Sequence, residues 1–134
     1  MASDLSKYLG NLVCRWIAGN AMPAPPATVY LALFNGDPKA SGTEITTTIR
    51  PAGRLAVDWD AIAADGVDNV LTNDALVDFG DADAGATLTH TCVFDDDTGG
   101  NKIASRVVPG GTIVVAAGTG VKFNIGDVNF TIGS

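Results

Sequence analysis

The run of residues 27–34 constrains the fold more than any other stretch of the chain. Its side chains alternate between two apolar faces: Val29, Leu31 and Leu33 on one, and Tyr30, Ala32 and Phe34 on the other. Such a strand must be covered on both sides to keep its apolar surface from water. Prolines at 25–26 precede the run, and the turn-forming segment 35–38 follows it. We therefore predict that this run is the central strand of a β domain.

Strand and turn signals alternate along the rest of the chain. The predicted strand segments are 45–49, which is a strand or an extended arm, then 54–59, a short strand within 70–79 that includes Leu76 and Val77, and then 87–94, 102–108, 112–116, 121–125 and 128–132. Turns that recur about every 8–12 residues are typical of a β-sandwich or a jelly roll. The predicted fold class is mainly β, with a single antiparallel β-sandwich or jelly-roll-like domain over residues 1–134. Its sandwich occupies residues 29–132 and follows one N-terminal amphipathic helix.

Residues 3–18 are predicted to form that helix. Ser3 is a suitable N-cap, and Asp4 lies in the first turn, where the helix dipole favours a negative charge. Gly19 and Asn20 end the helix. Its apolar side chains recur at helical spacing: Leu5, Tyr8, Leu9, Leu12, Val13, Trp16 and Ile17. This wide stripe must be buried, either against the protein's own sheet or against a neighbouring subunit.

Residues 21–28 form a proline-rich connector. Its prolines cannot donate in a strand ladder, and they stiffen the segment. Stiffness reduces the entropy lost when a segment is fixed against a partner. The helix and connector are therefore candidates for the interface of a homo-oligomer, a dimer or trimer, with 45–49 as a possible exchanged arm. We expect this interface to include Leu5, Tyr8, Leu9, Leu12, Trp16, Pro23, Pro25 and Pro26.

Composition and charge argue against several classes of function. The chain has 134 residues, of which 46% are hydrophobic, enough for one domain with a core. Its net charge is −7 and its eight basic residues are scattered, which argues against nucleic acid as a partner. No apolar run approaches the ~20 residues that span a bilayer. Residues 1–20 do not read as a signal peptide, because Asp4 and Lys7 interrupt the apolar region. We expect no membrane partner.

His90 and Cys92 are the residues most open to a catalytic interpretation. The strand pattern places Leu88, His90, Cys92 and Phe94 on one face. Two side chains on one strand face stand roughly 6–7 Å apart, and no third orienting group is identifiable. We therefore expect a structural histidine and no catalytic residue. Cys14 and Cys92 are predicted to be free thiols rather than a disulfide, as suits a protein assembled in a reducing cytoplasm.

Two acidic loops, at 81–83 and 95–97, could suggest calcium. An EF-hand needs a glutamate twelve residues along, and this chain has Cys92 and Arg106 there. The glycines at 118–120 precede a strand rather than a helix, so they do not form a phosphate-binding loop. We expect no metal and no cofactor.

Several short motifs occur in a distinctive order between residues 5 and 132. They are PPATVYLALF at 25–34, Asp37-Pro38, Gly42-Thr43-Glu44, RLAV at 54–57, Thr89-His90, Phe94-Asp95, TGGN at 98–101, Ala117-Gly118 and Gly126-Asp127. Their order and spacing resemble a family of small structural proteins of tailed bacteriophages, commonly labelled tail fibre or minor structural proteins. The acidic segment 58–74 departs from that family, in which the region tends to be a Gly/Ser-rich loop.

The resemblance implies a non-enzymatic component of the virion. The chain shows no fibrous repeat, and an acidic protein suits a capsid exterior, where it does not compete for packaged DNA. We therefore expect a capsid decoration or cement protein that binds the major capsid protein. The alternative is a tail or baseplate component of the tail-fibre type, bound to tail proteins. A carbohydrate-binding module would need exposed aromatic side chains, and we expect Trp16 and Trp59 in the core.

Overall fold

The computed structural model describes residues 4–60 and 70–131. The chain is mainly β with an N-terminal helix, as predicted. The helices are α1 (Lys7–Ile17) and α2 (Thr46–Ile49). The strands are β1 (Tyr30–Asn35), β2 (Thr43–Glu44), β3 (Leu55–Ala56), β4 (Val70–Thr72), β5 (Val77–Asp81), β6 (Ala86–Leu88), β7 (His90–Phe94), β8 (Lys102–Val107), β9 (Ile113–Val115), β10 (Gly120–Phe123) and β11 (Asn129–Thr131).

Strand β1 lies inside the largest sheet, as predicted for the run at 27–34. It pairs antiparallel with β7, from Tyr30 opposite Phe94 to Phe34 opposite His90. Its other edge pairs with β2 and β3, and β7 pairs in turn with β8. The resulting order is β2–β1–β7–β8, with β3 also on β1. Because β1 has neighbours on both edges, its backbone groups are satisfied within the sheet.

The main core lies between the inner face of this sheet and three two-stranded ladders. The sheet contributes Leu31, Leu33, Val93 and Ala104, which are at most 1% exposed. The ladders β5–β10, β4–β11 and β6–β9 contribute Val77, Phe79, Leu88, Val115, Val121, Phe123 and Phe130. The half-buried Trp59 meets Phe130 edge-on at a centroid distance of 6.2 Å. This arrangement confirms the predicted antiparallel β-sandwich, and Trp59 packs against the core as predicted.

A second, smaller apolar cluster covers the outer face of the main sheet. It consists of Ala32, Phe34, Cys92 and Phe94, all of which are buried. The rings of Phe34 and Phe94 stack with centroids 6.1 Å apart. Charged side chains cover these rings, with Lys102 over Phe34 and Arg54 over Phe94. The outer face is thus apolar at the sheet and cationic above it.

The predicted strand 87–94 is broken at Thr89, and the predicted common face is wrong. The Thr89 amide donates to the Phe34 carbonyl at 2.9 Å, where the chain passes from β6 to β7. The break shifts the alternation, so Leu88 enters the main core while Cys92 and Phe94 enter the outer cluster. Sequence periodicity alone does not reveal the break, because both halves consist of good strand-forming residues.

Residues 45–49 form neither a strand nor an extended arm. They contain the single helical turn α2, in which Thr46 and Ile49 are buried. The Thr46 hydroxyl accepts the Leu33 amide at 2.9 Å and donates to the Glu44 carboxylate at 2.7 Å. These local bonds replace a ladder, as threonine side chains often do. The predicted extended conformation is therefore wrong, whereas exchange of this segment between subunits stays a prediction.

The N-terminal helix begins later than predicted. Its N-cap is Ser6 rather than Ser3, and its first residue is Lys7. Before it, Asp4 and Ser6 hydrogen-bond along the edge of β8, and the Asp4 carboxylate accepts the Thr131 amide at 2.7 Å. The open edge of β8 offers these residues backbone partners that compete with a first helical turn. Asp4 therefore ties β8 to β11 instead of sitting in the helix.

Other strand boundaries in the structure differ from the predicted ones by a few residues. Segment 70–79 holds two strands, β4 and the start of β5, and Leu76 between them is 50% exposed. Strand β5 runs to Asp81, into the acidic loop predicted at 81–83. Only the residues of β3 are a strand within 54–59. Part of the predicted acidic segment, 61–69, lies outside the described residues.

A buried amide holds together the turns beside β4 and β11. Asn73 is 0% exposed, and its side-chain oxygen accepts the Gly126 and Val128 amides, both at 3.0 Å. Its side-chain nitrogen donates to the carbonyls of Ala75 and Asn124 at 2.8 and 3.1 Å. All four hydrogen bonds that an asparagine side chain can make are formed, as burial of such a group requires.

Candidate interaction surface

Helix α1 is fixed to the sheet by its first turn. The Ser6 amide donates to the Ile103 carbonyl at 2.8 Å, and its hydroxyl donates to the Lys102 carbonyl. The same hydroxyl accepts the Leu9 amide at 3.1 Å and so caps the helix. The main contacts of α1 with the sheet are with β8. One serine therefore sets both where the helix starts and where it meets the sheet.

The helix ends where the sequence predicts. The amide of Gly19, at φ 95°, donates to the Trp16 carbonyl at 3.0 Å. The amide of Asn20 donates to the Arg15 carbonyl at 2.9 Å. This pair of bonds is the Schellman motif, in which glycine takes the left-handed conformation that ends a helix. The chain then enters the connector in a defined direction.

The apolar stripe of α1 is only partly covered by its own sheet. No residue of the helix is buried, and Leu9, Leu12 and Val13 are half-buried. Trp16 is 62% exposed and Ile17 is 73% exposed, so the predicted core placement of Trp16 is wrong. The reason is geometric: Trp16 lies ten residues beyond the anchor at Ser6, about 15 Å along the helix axis.

The exposed apolar stripe continues into the connector. Residues 21–28 are all exposed, including Pro23, Pro25 and Pro26, and Met22 is 41% exposed. Tyr8 is 37% exposed at the other end of the helix. We name Tyr8, Trp16, Ile17, Met22, Pro23, Pro25 and Pro26 the N-terminal apolar surface. Exposed apolar patches of this kind are typical of protein–protein contact sites.

Some of the predicted interface residues belong to the N-terminal apolar surface, and the others are half-buried within the protein's own fold. Leu5 pairs with Ala104 in an isolated bridge and is half-buried, so it belongs to the sheet edge. Leu9 and Leu12 are half-buried on the helix. The predicted interface left out Ile17 and Met22, although Ile17 belongs to the same helical stripe as Trp16. The interface itself stays a prediction.

The N-terminal segment also differs in charge from the rest of the chain. Residues 5–28 contain Lys7 and Arg15 and no acidic side chain. All fifteen acidic residues lie outside this segment. The N-terminal apolar surface is therefore accompanied by positive charge on an otherwise acidic protein.

The environment of Cys92 does not suit a nucleophile. Cys92 is 0% exposed, and burial raises the pKa of its thiol to about 12. Nucleophilic cysteines act as thiolates, which this environment disfavours. His90 instead has its Nδ1 2.8 Å from the Thr89 hydroxyl, within hydrogen-bond distance. Both cysteines are free, as predicted, with Cys14 exposed.

The acidic loop between β7 and β8 is organised by hydrogen bonds. The Asp95 carboxylate accepts the Asn101 backbone amide at 2.7 Å and its side-chain amide at 3.0 Å, which closes the hairpin. No three His, Cys, Asp or Glu side chains come together in a metal-binding arrangement within residues 4–60 and 70–131. These contacts give Asp95 a structural role.

Arg54 fixes the same hairpin from the side. It forms a two-point ion pair with Glu44 at 2.9 and 2.8 Å, and it donates to the carbonyls of Asp96 and Gly99 at 3.0 and 2.8 Å. Burial of Glu44 raises its pKa, but hydrogen bonds from Arg54 and Thr46 outweigh burial, so the pKa is lowered overall. The hairpin is thereby locked to β2.

In the described parts of the chain, no helix is long and apolar enough to cross a membrane. The exposed apolar helix on an antiparallel β-sandwich marks a surface for contact with other proteins. Residues 4–131 match the family described as Podophage GP4 fiber I protein gp80, and the chain belongs to this family. The match confirms the resemblance to structural proteins of the phage virion. No curated protein matches the chain.

Proposed function

We propose that this protein is a non-enzymatic structural component of a bacteriophage tail, where it forms part of a fibre or its attachment. The family match carries this proposal, because it spans residues 4–131 and therefore every described element of the fold. The buried thiol of Cys92, with its raised pKa, supports a role without covalent chemistry.

The family favours the tail over the capsid. The sequence led us to expect a capsid decoration protein, with a tail-fibre component as the alternative. The matching family takes its name from a fibre protein, which supports the alternative. An acidic surface suits either position on the outside of the particle, so charge does not discriminate between them.

The N-terminal apolar surface is the proposed contact of the protein with a second copy of itself. The segment around it is basic, whereas all acidic side chains lie elsewhere in the chain. Another copy therefore offers the negative charge that complements Lys7 and Arg15. The connector prolines limit the entropy lost when the segment is fixed. A dimer or trimer of this kind needs an interface of at least ~1,000 Å².

Mass spectrometry of separated tails and capsids tests the proposed location. Purified particles are dissociated, the two fractions are separated, and the protein is quantified against a tail protein and the major capsid protein. We expect a fixed ratio to the tail protein and absence from emptied capsids. Enrichment in the capsid fraction at a fixed ratio to the major capsid protein would contradict the tail assignment and favour decoration.

A further inference from the structure

A pocket of about 400 Å³ opens on the outer face of the main sheet. Its walls come from the first turn of α1, the loop at 38–40, the end of the hairpin at 100–101, and strands β7 and β8. Cys92 and Phe94 lie on the strand side of the pocket. The volume is within the range of small-molecule sites, at its lower end, and admits a ligand the size of a monosaccharide.

Three lysines line the pocket of an otherwise negatively charged protein. Lys7, Lys39 and Lys102 line it, and no Asp or Glu does so among the described residues. The whole chain has fifteen acidic and eight basic residues, so this concentration runs against its composition. Lys102 is held in place, because its ammonium group donates to the Pro38 carbonyl at 2.9 Å. Such a lining favours the binding of an anionic ligand.

The start of α1 adds two backbone donors. Ser6, Lys7 and Tyr8 line the pocket, and Ser6 caps the Leu9 amide. Within the described residues, the amides of Lys7 and Tyr8 have no acceptor. Free amides at a helix N-terminus, together with the helix dipole, bind carboxylate and phosphate groups.

The hydroxyl of Ser105 provides an independent indication of a ligand. Ser105 is 5% exposed and lines the pocket opposite Cys92 in the β7–β8 ladder. Its backbone amide donates to Asp4, but its hydroxyl has no hydrogen-bond partner in the part of the chain that the structure describes. Among the described residues no fully buried polar side-chain atom lacks a partner, so this hydroxyl is open to the pocket and available to a molecule there.

The walls of the pocket are held in position before any ligand binds. In the loop that carries Lys39, a side chain at Gly42 would lie 2.4 Å from the Gly36 carbonyl oxygen, so the backbone there is tightly packed. In the hairpin, Asn101 is bonded twice to Asp95. Preformed walls lower the entropy lost on binding.

We propose that this pocket binds a monosaccharide-sized ligand that carries a carboxylate or a phosphate. The anionic group accepts from the amides of Lys7 and Tyr8 and pairs with Lys102, while Ser105 bonds an oxygen of the ligand. Tyr8, which is 37% exposed, offers apolar surface to the carbon face of the ligand. This proposal does not depend on where the protein sits in the virion.

Titration of the ¹⁵N-labelled full-length protein tests it. The probes are glucuronic acid, glucose 6-phosphate and inorganic phosphate, with glucose as the uncharged control. We expect one of the two acidic sugars to shift the amide signals of Lys7, Tyr8 and Ser105 saturably, and the preferred one identifies carboxylate or phosphate as the anion. Glucose should bind at least tenfold more weakly. Equal binding of glucose, or no saturable shift with either acidic sugar, would overturn the proposal.

Matched variants locate the site. Lys7→Gln and Ser105→Ala should each weaken binding of the acidic sugar at least fivefold, whereas Lys122→Gln, at an exposed position of β10, should leave the affinity unchanged. An equal loss of affinity in Lys122→Gln would show that binding depends on the net charge of the protein, and it would overturn the assignment to this pocket. Inorganic phosphate that binds as tightly as glucose 6-phosphate would contradict the sugar-sized ligand. Trp16→Asp should bind normally, which separates this test from that of self-association.

Discussion

The guanidinium carbon of Arg54 lies 3.6 Å from the centroid of the Phe94 ring. Only 7% of the Arg54 side chain is exposed, and the same group is bonded to Glu44 and to the hairpin. A planar guanidinium can stack on a ring and donate in its plane at the same time. This contact explains how Phe94 is only 5% exposed on the outer side of the sheet.

Replacement of Arg54 should destabilise the protein more than loss of a surface charge. Arg54→Ala removes the stacking contact and leaves Glu44 and the hairpin carbonyls without their donor, so we expect a loss of about 2–4 kcal/mol. Arg54→Lys should be intermediate, because an ammonium group keeps the charge without the planar set of donors. Urea unfolding measures both variants. Equal stability of Arg54→Ala and the wild type would contradict this role.

Acid should weaken the ion pair between Arg54 and Glu44. The pKa of Glu44 is lowered in the folded protein, so its ionised form contributes stability above the unfolded value near 4.5. This contribution is lost as pH falls from about 4.5 through the lowered pKa of the folded state. Unfolding curves between pH 7 and pH 3 should show a smaller acid-dependent loss in Glu44→Gln than in the wild type. If the stability of both proteins fell equally with pH, ionisation of Glu44 would not contribute to the stability of the fold.

The two cysteines should differ in reactivity. Iodoacetamide at pH 8 should modify exposed Cys14 and leave Cys92 untouched in the folded protein, because the pKa of Cys92 is raised to about 12. The raised pKa also means that the native state keeps a proton that the unfolded state loses. Stability should therefore fall as pH rises from 9.0 to about 12. Peptide mass mapping checks the labelling, and modification of Cys92 at the Cys14 rate would contradict its burial.

Trp16 should matter for association and not for folding. Because Trp16 is 62% exposed, Trp16→Asp should change the free energy of unfolding by no more than roughly 0.5 kcal/mol. The same change places a charge in the N-terminal apolar surface and should shift the protein to monomer in sedimentation velocity. Val114→Asp is the matched control, since Val114 is 80% exposed on β9. Experiments under reducing conditions exclude a disulfide through Cys14, and an oligomer unchanged by Trp16→Asp would refute the contact.

Local patterns were enough to predict much of the fold. The two apolar faces of β1 required neighbours on both sides, and the recurring turns indicated a β-sandwich. Gly19 predicted the helix end because a left-handed residue is needed there. Such features depend on a few adjacent residues, so the sequence contains the whole signal.

Other features depend on distant partners. Ser6 caps the helix because β8 offers Asp4 and Ser6 an open edge, and the pattern around Ser3 contains no trace of that edge. Thr46 leaves the extended conformation because its hydroxyl finds Leu33, thirteen residues away. The exposure of Trp16 depends on where the sheet stops. Periodicity identifies an apolar face but not what covers it.

The candidate pocket could not be predicted for the same reason. Its lysines at positions 7, 39 and 102 come from a helix, a loop and a strand, with no spacing that joins them. Ser105 looks like an ordinary strand residue. Only the fold brings these groups around one pocket, whereas the apolar stripe of α1 is visible in the sequence from its periodicity.

The central claim is that this protein belongs to the phage fibre. Electron microscopy of particles that carry a stop codon in its gene, compared with particles complemented by the wild-type protein, tests this claim most directly. We predict particles with intact, filled capsids and with fibres missing or shortened, and complementation should restore the fibres. Mutant particles with normal fibres, together with binding of labelled antibody over the capsid of complemented particles, would contradict the claim.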